Sequence, residues 1–198
     1  MIIGLTGSFA TGKSTVARMF HALGAKIINA DKIAHKVLDE PSIKNKLLIL
    51  FGDDISARNR ISRRKLGKLV FSNRDLVVKL NKVVHPPVIA EIKKELRKNK
   101  QTKFNQRKVI VLDAQLLIEA GLLKLVDYLV VVKCSKINQI RRGIKNGFNK
   151  SQAIRRIQAQ MPLKYKIRLA NFVVNNNFSL EKTNAEVKSI WQKITPKK

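Results

Sequence analysis

The sequence predicts an α/β fold of three layers, a parallel sheet flanked by helices, and three observations carry that prediction. Short apolar runs suited to buried parallel strands alternate with helical patterns along most of the chain. The first run, Ile2-Ile3-Gly4-Leu5-Thr6, passes directly into Gly7-Ser8-Phe9-Ala10-Thr11-Gly12-Lys13-Ser14, whose spacing G-x-x-x-x-G-K-[ST] is that of a phosphate-binding loop. Residues 33 to 108 hold helical patterns and no convincing strand; that is too long for a simple crossover, so it predicts a mostly helical insertion beside the sheet.

The elements follow in order. Strands are expected at 2–6, 26–29, 109–113, 128–133 and 172–174, each an apolar run of strand length, as in Val109-Ile110-Val111-Leu112 and Leu129-Val130-Val131-Val132. Helices are expected at 13–23, 31–38, 42–51, 63–70, 74–98, 135–145, 151–160 and 180–194. The first has its apolar residues at helical spacing in Ser14-Thr15-Val16-Ala17-Arg18-Met19-Phe20. The result is a P-loop NTPase-type core made of 1–32, 109–138 and 168–198, a helical substrate-binding domain at 33–108, and a helical lid at 139–167. The lid is rich in Arg and Lys, and Gly143 and Gly147 are placed to soften its motion.

Composition bounds the rest. A chain of 198 residues fits one domain with a small inserted lobe, and 44% hydrophobic content supports a real core. No apolar stretch approaches the roughly 18 residues needed to span a bilayer, and the first residues run straight into a strand, so neither a membrane partner nor a secretory signal is expected. The single cysteine, Cys134, excludes an internal disulfide and a multi-cysteine metal site; it reads as a packed small hydrophobe in a reducing, cytoplasmic setting. The net charge of +28 raises nucleic-acid binding. Against it, the basic residues are spread along the chain and the few aromatics do not alternate with them as stacking platforms would. Steering of small anionic substrates accounts for positive charge as well, so nucleic acid is not expected as the primary partner.

The chemistry-bearing residues cluster at predicted strand ends. Loop glycines allow backbone torsions that a side chain would forbid. The amides of Gly7, Ser8, Phe9, Ala10, Thr11, Gly12, Lys13, Ser14 and Thr15 are then available to an anion at the positive end of the helix dipole. Lys13 would reach the β- and γ-phosphates of ATP and Ser14 would ligate Mg²⁺; the plainer alternative is a glycine turn joining strand to helix. Asp31 closes the second strand, where a carboxylate suits removal of a proton from an acceptor hydroxyl; it equally suits a helix N-cap. Asp113 ends the third strand and would face Mg²⁺, directly or through water, or serve as a turn residue. Glu119 reads as a solvated charge. His85-Pro86-Pro87 starts an apolar-periodic helix, with proline in a first helical turn; His85 would meet an anionic substrate or be structurally ordinary. Arg141, Arg142 and Lys145 offer guanidinium and ammonium groups to phosphoryl charge. The loop Asn175-Asn176-Asn177 is a turn signal where an adenine ring could meet backbone groups.

Taken together these residues resemble the dephospho-coenzyme A kinase family nearly end to end. The carrying segments are Ile3 to Ser14, Asn29-Ala30-Asp31, Phe51-Gly52, Ile61 through Arg63 and Leu66 to Val70-Phe71, Leu80-Asn81 to His85-Pro86, Asp113 to Glu119, Gln139 to Arg142, Gln160 to Lys166, and Ala170 to Asn176. The resemblance implies transfer of the ATP γ-phosphate to the ribose 3′-hydroxyl of dephospho-coenzyme A. It also implies Asp31 as general base, Arg142 as the lid arginine nearest the phosphates, Asn176 in the adenine loop, and Arg63 and His85 on the substrate side, with Asp113. This chain departs from the family pattern at Asn29 and Ser62, each in place of an Asp, at Gln115 in place of a proline, at Asn171 in place of an Asp and at Phe178 in place of a glycine. Its lid is one residue short and has no clean counterpart of a second arginine among Lys145, Asn146 and Gly147. Other readings are a different small-molecule or nucleotide kinase of this architecture, a weakly active homologue that keeps nucleotide binding, and a basic nucleic-acid-binding NTPase. The oligomeric state, monomer or weak oligomer, stays open.

Overall fold

The computed structural model describes residues 1–57, 60–70, 73–100 and 109–195. Phe71 of the family-like segment, the end of the expected insertion at Lys108 and the basic end Pro196-Lys197-Lys198 lie outside the described residues. The chain divides into two compact units, one of Met1–Asn29 with Lys98–Lys198 and one of Ala30–Arg97.

The first unit is built on a five-stranded, wholly parallel sheet of order β2-β5-β1-β6-β7, with β1 Ile2–Gly7, β2 Lys26–Asn29, β5 Ile110–Asp113, β6 Tyr128–Lys133 and β7 Phe172–Asn175. β1 lies at the centre, buried throughout, because it is apolar on both faces and both faces are covered. Its register sets Leu5 beside Asp113 and Gly7 beside Val132, while Asn29 of β2 lies beside Asp113 of β5. All carboxyl ends therefore meet at one edge of the sheet, the edge at which parallel sheets bind ligands.

One face of the sheet packs Ile3, Leu5, Val111, Val130, Val132 and Val174 against α1 (Lys13–Ala22) and α9 (Leu180–Ile194). Val16, Ala17 and Phe20 form the buried stripe of α1, and Thr183, Val187, Ile190 and Ile194 that of α9, at the spacing of a helix face. Phe20 is fully buried and meets Trp191 with ring centroids 6.4 Å apart. On the other face Gly4 lets Leu117 and Val126 approach the strand, since a Cβ there would stand 2.8 Å from Leu117. Three further helices follow β6: α6 (Lys136–Lys145), α7 (Lys150–Gln158) and α8 (Leu163–Leu169). α8 was not expected from sequence; its pattern is seven residues long and half basic, too short to show a period. Asn175 ends β7 rather than opening the loop in which it was expected, because β6 continues to pair with it through Lys133.

The second unit contains α2 (Ala30–Leu38), α3 (Pro41–Phe51), a two-stranded antiparallel hairpin of β3 (Ser56–Ala57) and β4 (Arg60–Ile61), α4 (Arg63–Val70) and α5 (Arg74–Lys100). The hairpin corrects the expectation of a strand-free insertion: two residues per strand carry no readable alternation. A second correction concerns Pro86 and Pro87. They stand inside the 27 residues of α5 rather than in a first turn. The apolar periodicity of Leu76, Val77, Leu80 and Val84 carries the helix up to them, and the helix resumes beyond despite two missing amide donors.

Phe20 joins the sheet to both covering helices. Phe20→Ala is expected to destabilise the first unit by about 3–5 kcal/mol, read as a lower denaturant midpoint with an unchanged slope.

Candidate active site

The loop after β1 has the torsions its glycines allow. Gly12 lies in the left-handed region at φ 91°, immediately before α1, and a Cβ there would stand 1.9 Å from Asn176 Nδ2. A Cβ on Gly7 would stand 2.6 Å from Thr11 Oγ1 and 2.9 Å from the Val132 carbonyl oxygen. Both positions therefore require glycine, one for torsion and close approach and the other for space. Ala10 also has positive φ, at 56°. The turn is closed by the Thr11 hydroxyl and the Thr11 amide, which donate to the Ser8 carbonyl at 3.0 and 3.3 Å.

Lys13 opens α1 and points to the sheet. Its Nζ donates to Asp113 Oδ1, and both side chains are buried. The Asn29 side-chain amide donates to the other oxygen of Asp113 at 3.1 Å. The β2–β5 register explains this pair, and it gives the departure at Asn29 a physical meaning: a carboxylate at 29 would face the Asp113 carboxylate, whereas the amide supplies a donor. Ser14 is exposed in the first turn of α1.

Arg142 and Asn176 bracket the loop from the other side. The Arg142 guanidinium donates to the Thr11 carbonyl at 3.1 Å and to the Asn176 carbonyl at 2.8 Å. Asn176 is buried; its Nδ2 donates to the Thr11 carbonyl at 2.7 Å, and its Oδ1 accepts from Thr183 Oγ1 at 3.2 Å. Asn176 thus holds the phosphate loop with its side chain. On α6, Gln139, Arg142 and Gly143 share the inward face, while Arg141 and Lys145 are exposed. Gly143 is a close-packing position rather than a soft point, because a Cβ there would stand 2.8 Å from the Phe9 ring. Phe9 itself meets Phe148 edge to face at 5.3 Å, with the Arg156 guanidinium 4.5 Å from the Phe148 centroid.

Three residues not expected in the site also touch this region. Gln160 Oε1 accepts the Phe9 amide at 3.0 Å. Lys166 is fully buried and donates to the Gly7 carbonyl at 3.1 Å and the Gln115 carbonyl at 2.9 Å. Glu119, expected to be solvated, instead pairs with Lys166 at 2.9 Å and accepts the Met161 amide at 3.2 Å. Burial pulls the Lys166 ammonium below the usual lysine range; the Lys13 charge adds to that and Glu119 opposes it. The only sequence signal for Gln160 and Lys166 was their place in a family-like segment. Burial likewise pushes the Cys134 thiol up, in keeping with a packed side chain.

The remaining expected site residues lie in the second unit. Asp31 stands in the first turn of α2, two residues beyond the end of β2. The helix already begins at Ala30, so the N-cap reading gives way to a carboxylate that complements the helix dipole. Arg63 opens α4 and its Nη1 lies 2.7 Å from His35 Nδ1. His85 lies mid-helix in α5, its imidazole pulled below the ordinary histidine value by burial.

Among the described residues no three His, Cys, Asp or Glu side chains converge to hold a metal by themselves, and no helix is long and apolar enough to cross a membrane. A buried lysine–carboxylate pair beneath a glycine loop at the carboxyl edge of a parallel sheet defines a P-loop kinase-type nucleotide site. A solved shikimate kinase from Acinetobacter baumannii shares the fold, with a TM-score of 0.53 at 15% identity over 98% of this chain and 92% of that one. The chain belongs to the dephospho-CoA kinase family: the family model for dephospho-CoA kinase matches residues 1–182. The dephospho-CoA kinase of Carboxydothermus hydrogenoformans is 42% identical over 196 residues, covering 97% of this chain and 93% of the relative. The solved dephospho-CoA kinase of Campylobacter jejuni superposes with a TM-score of 0.68 at 26% identity, covering 98% and 96%. A crystal structure from Thermus thermophilus gives 0.81 at 28% identity over 98% of both chains. Membership makes this an ATP-using phosphotransferase with dephospho-CoA as its acceptor.

The His35–Arg63 contact has a pH signature. The His35 imidazole is pulled below 6.5, first by burial and then by the Arg63 charge, with Asp31 and Asp39 opposing. Arg63→Ala is expected to raise the His35 titration midpoint part of the way towards 6.5, followed by proton–carbon NMR of the ring; an unmoved midpoint would detach Arg63 from His35.

Proposed function

We propose that the chain transfers the γ-phosphoryl group of ATP to the ribose 3′-hydroxyl of dephospho-CoA, giving coenzyme A and ADP. The observation that carries this reading is the buried Lys13–Asp113 pair under the glycine loop, in a chain that matches the dephospho-CoA kinase model over residues 1–182.

The loop amides of Ser8, Ala10, Gly12, Lys13 and Ser14 receive the phosphates at the positive end of α1, while those of Phe9, Thr11 and Thr15 donate within the protein and hold the loop's shape. Lys13 exchanges part of its contact with Asp113 for phosphate oxygens, a short movement for a group already charged and anchored. Arg142 donates from the loop's flank, where it now holds two carbonyl oxygens. Its planar fork suits the spread charge of a transferring phosphoryl group. Asn176 holds the loop from beneath the adenine side. The site residues fit Mg²⁺: the exposed Ser14 hydroxyl and the Asp113 carboxylate, the latter through water, are hard oxygen donors too few for an all-protein cage, as expected where phosphates complete the sphere. Bound there, Mg²⁺ would supply charge neutralisation at the β- and γ-oxygens.

Asp31 accepts the proton of the acceptor hydroxyl, and Arg63 and His85 contribute to holding dephospho-CoA. On this reading 33–108 is the substrate-binding domain and 139–167 the lid. The lid carries its role in its composition, since no Asp or Glu occurs between Asp127 and Glu181. That acid-free stretch, with eleven Lys and Arg, draws in polyanionic substrates without nucleic acid as a partner. The compartment proposed is the cytoplasm.

Mass spectrometry of pure protein with ATP, Mg²⁺ and dephospho-CoA tests the reaction: one added phosphoryl group on the acceptor is expected, and its absence removes the reading. In the same assay Asp31→Asn should lower kcat by about 10²–10⁴ with little change in ATP affinity. A merely structural carboxylate in the first turn of α2 predicts near-native turnover and a stability loss of about 0.3–1 kcal/mol.

A further inference from the structure

Lys166 is an expensive way to fill its site. Its side chain is fully buried, and an ammonium group loses its hydration there. Its three donors meet three acceptors: the carbonyls of Gly7 and Gln115 and the Glu119 carboxylate. A buried pair of this kind is rarely more stabilising than well-packed apolar side chains of the same volume. Stability is therefore a poor reason for an ammonium at this position.

The acceptors indicate a better one. Gly7 is the last residue of β1 and the first of the phosphate loop. In a planar trans peptide the Gly7 carbonyl and the Ser8 amide point in opposite directions, so a donor that fixes the Gly7 oxygen also fixes the Ser8 N–H. Gln115 follows β5 by two residues, and its carbonyl also accepts from Thr6 Oγ1 at 3.0 Å. Glu119 takes the Met161 amide as well, with its second oxygen buried and unpaired among the described residues. Next to Met161, Gln160 holds the Phe9 amide. The segment 160–166 thus grips the phosphate loop at Gly7 and Phe9.

We propose that Lys166 is a positioning residue for the phosphate loop, setting the Gly7–Ser8 peptide for nucleotide binding, and that Glu119 serves as its partly buried counter-ion. This rests on reading the loop as the ATP site, and it acts on ATP affinity before any acceptor is present.

The test separates stability from positioning. Lys166→Met leaves the partly buried Glu119 carboxylate without its ammonium and should lower the melting temperature. Lys166→Met combined with Glu119→Gln removes both charges and should recover most of that loss. ATP affinity, measured by calorimetry without acceptor, should fall about tenfold and stay reduced in the double variant, because the Gly7 carbonyl still lacks its donor. A double variant with recovered melting temperature and ATP affinity within about twofold of wild type would overturn the proposal. If the methionine variants do not fold, Lys166→Leu with Glu119→Gln carries the same comparison, since leucine too offers the Gly7 carbonyl no donor: reduced affinity supports the proposal and wild-type affinity overturns it. Failure of the wild-type protein to phosphorylate dephospho-CoA would count against the acceptor reading and leave this ATP comparison standing.

Discussion

A lysine that must remain charged inside protein sets the terms for the nucleotide site. Lys13 lies at the start of α1, directly after a glycine in the left-handed region, and it can stay there only because Asp113 ends the neighbouring strand at the same level. The Asp113 carboxylate is in turn held by the Asn29 amide from the strand beyond. Three strands, β2, β5 and β1, must therefore be in register for one ammonium group to be tolerated. Removing either partner of such a pair leaves an uncompensated buried charge, at a cost of about 3–5 kcal/mol. The apolar core beneath, from Ile3 and Leu5 to Val16 and Phe20, fixes the register that makes the pair possible.

Around this pair the loop is supported by contacts from distant parts of the chain. Arg142 and Asn176 hold the Thr11 carbonyl, Gln160 holds the Phe9 amide, and Lys166 holds the Gly7 carbonyl. Alternate loop positions are thus tied to α6, to Gln160 before α8, to α8 itself and to the turn after β7. The helices between β6 and β7 carry only basic charge, so the same segment that braces the loop supplies a positive field beside it. Bracing and attraction are two consequences of one stretch of sequence.

The fold was legible where periodicity is strong. All five parallel strands were placed to within one residue, because buried parallel strands are continuous apolar runs, and α1, α4 and α9 followed from their buried stripes. The phosphate loop was legible because its spacing is rare and its context is strand then helix. The two-residue strands β3 and β4 and the short α8 were not, since neither is long enough to show a period. Of the site, Lys13 and Asp113 could each be placed at the carboxyl edge of the sheet by the loop spacing and strand-end logic, though not paired with one another. Lys166 and Glu119 could not: a lysine in a basic helix and a glutamate in a loop look solvated until the fold buries the one and pairs it with the other. Gly143 was misread for a similar reason, since a glycine that admits a ring and a glycine that bends a lid have the same letter.

Nucleotide binding by the glycine loop depends on Lys13. The most direct test is calorimetric titration of ATP into wild-type protein and Lys13→Ala, with melting temperatures recorded on the same samples. The structure predicts that ATP affinity collapses in the variant by at least about tenfold, the loss of one charge-assisted contact to phosphate, while the protein remains folded with a lowered melting temperature. Unchanged ATP affinity in folded Lys13→Ala would contradict it and remove the glycine loop from nucleotide binding.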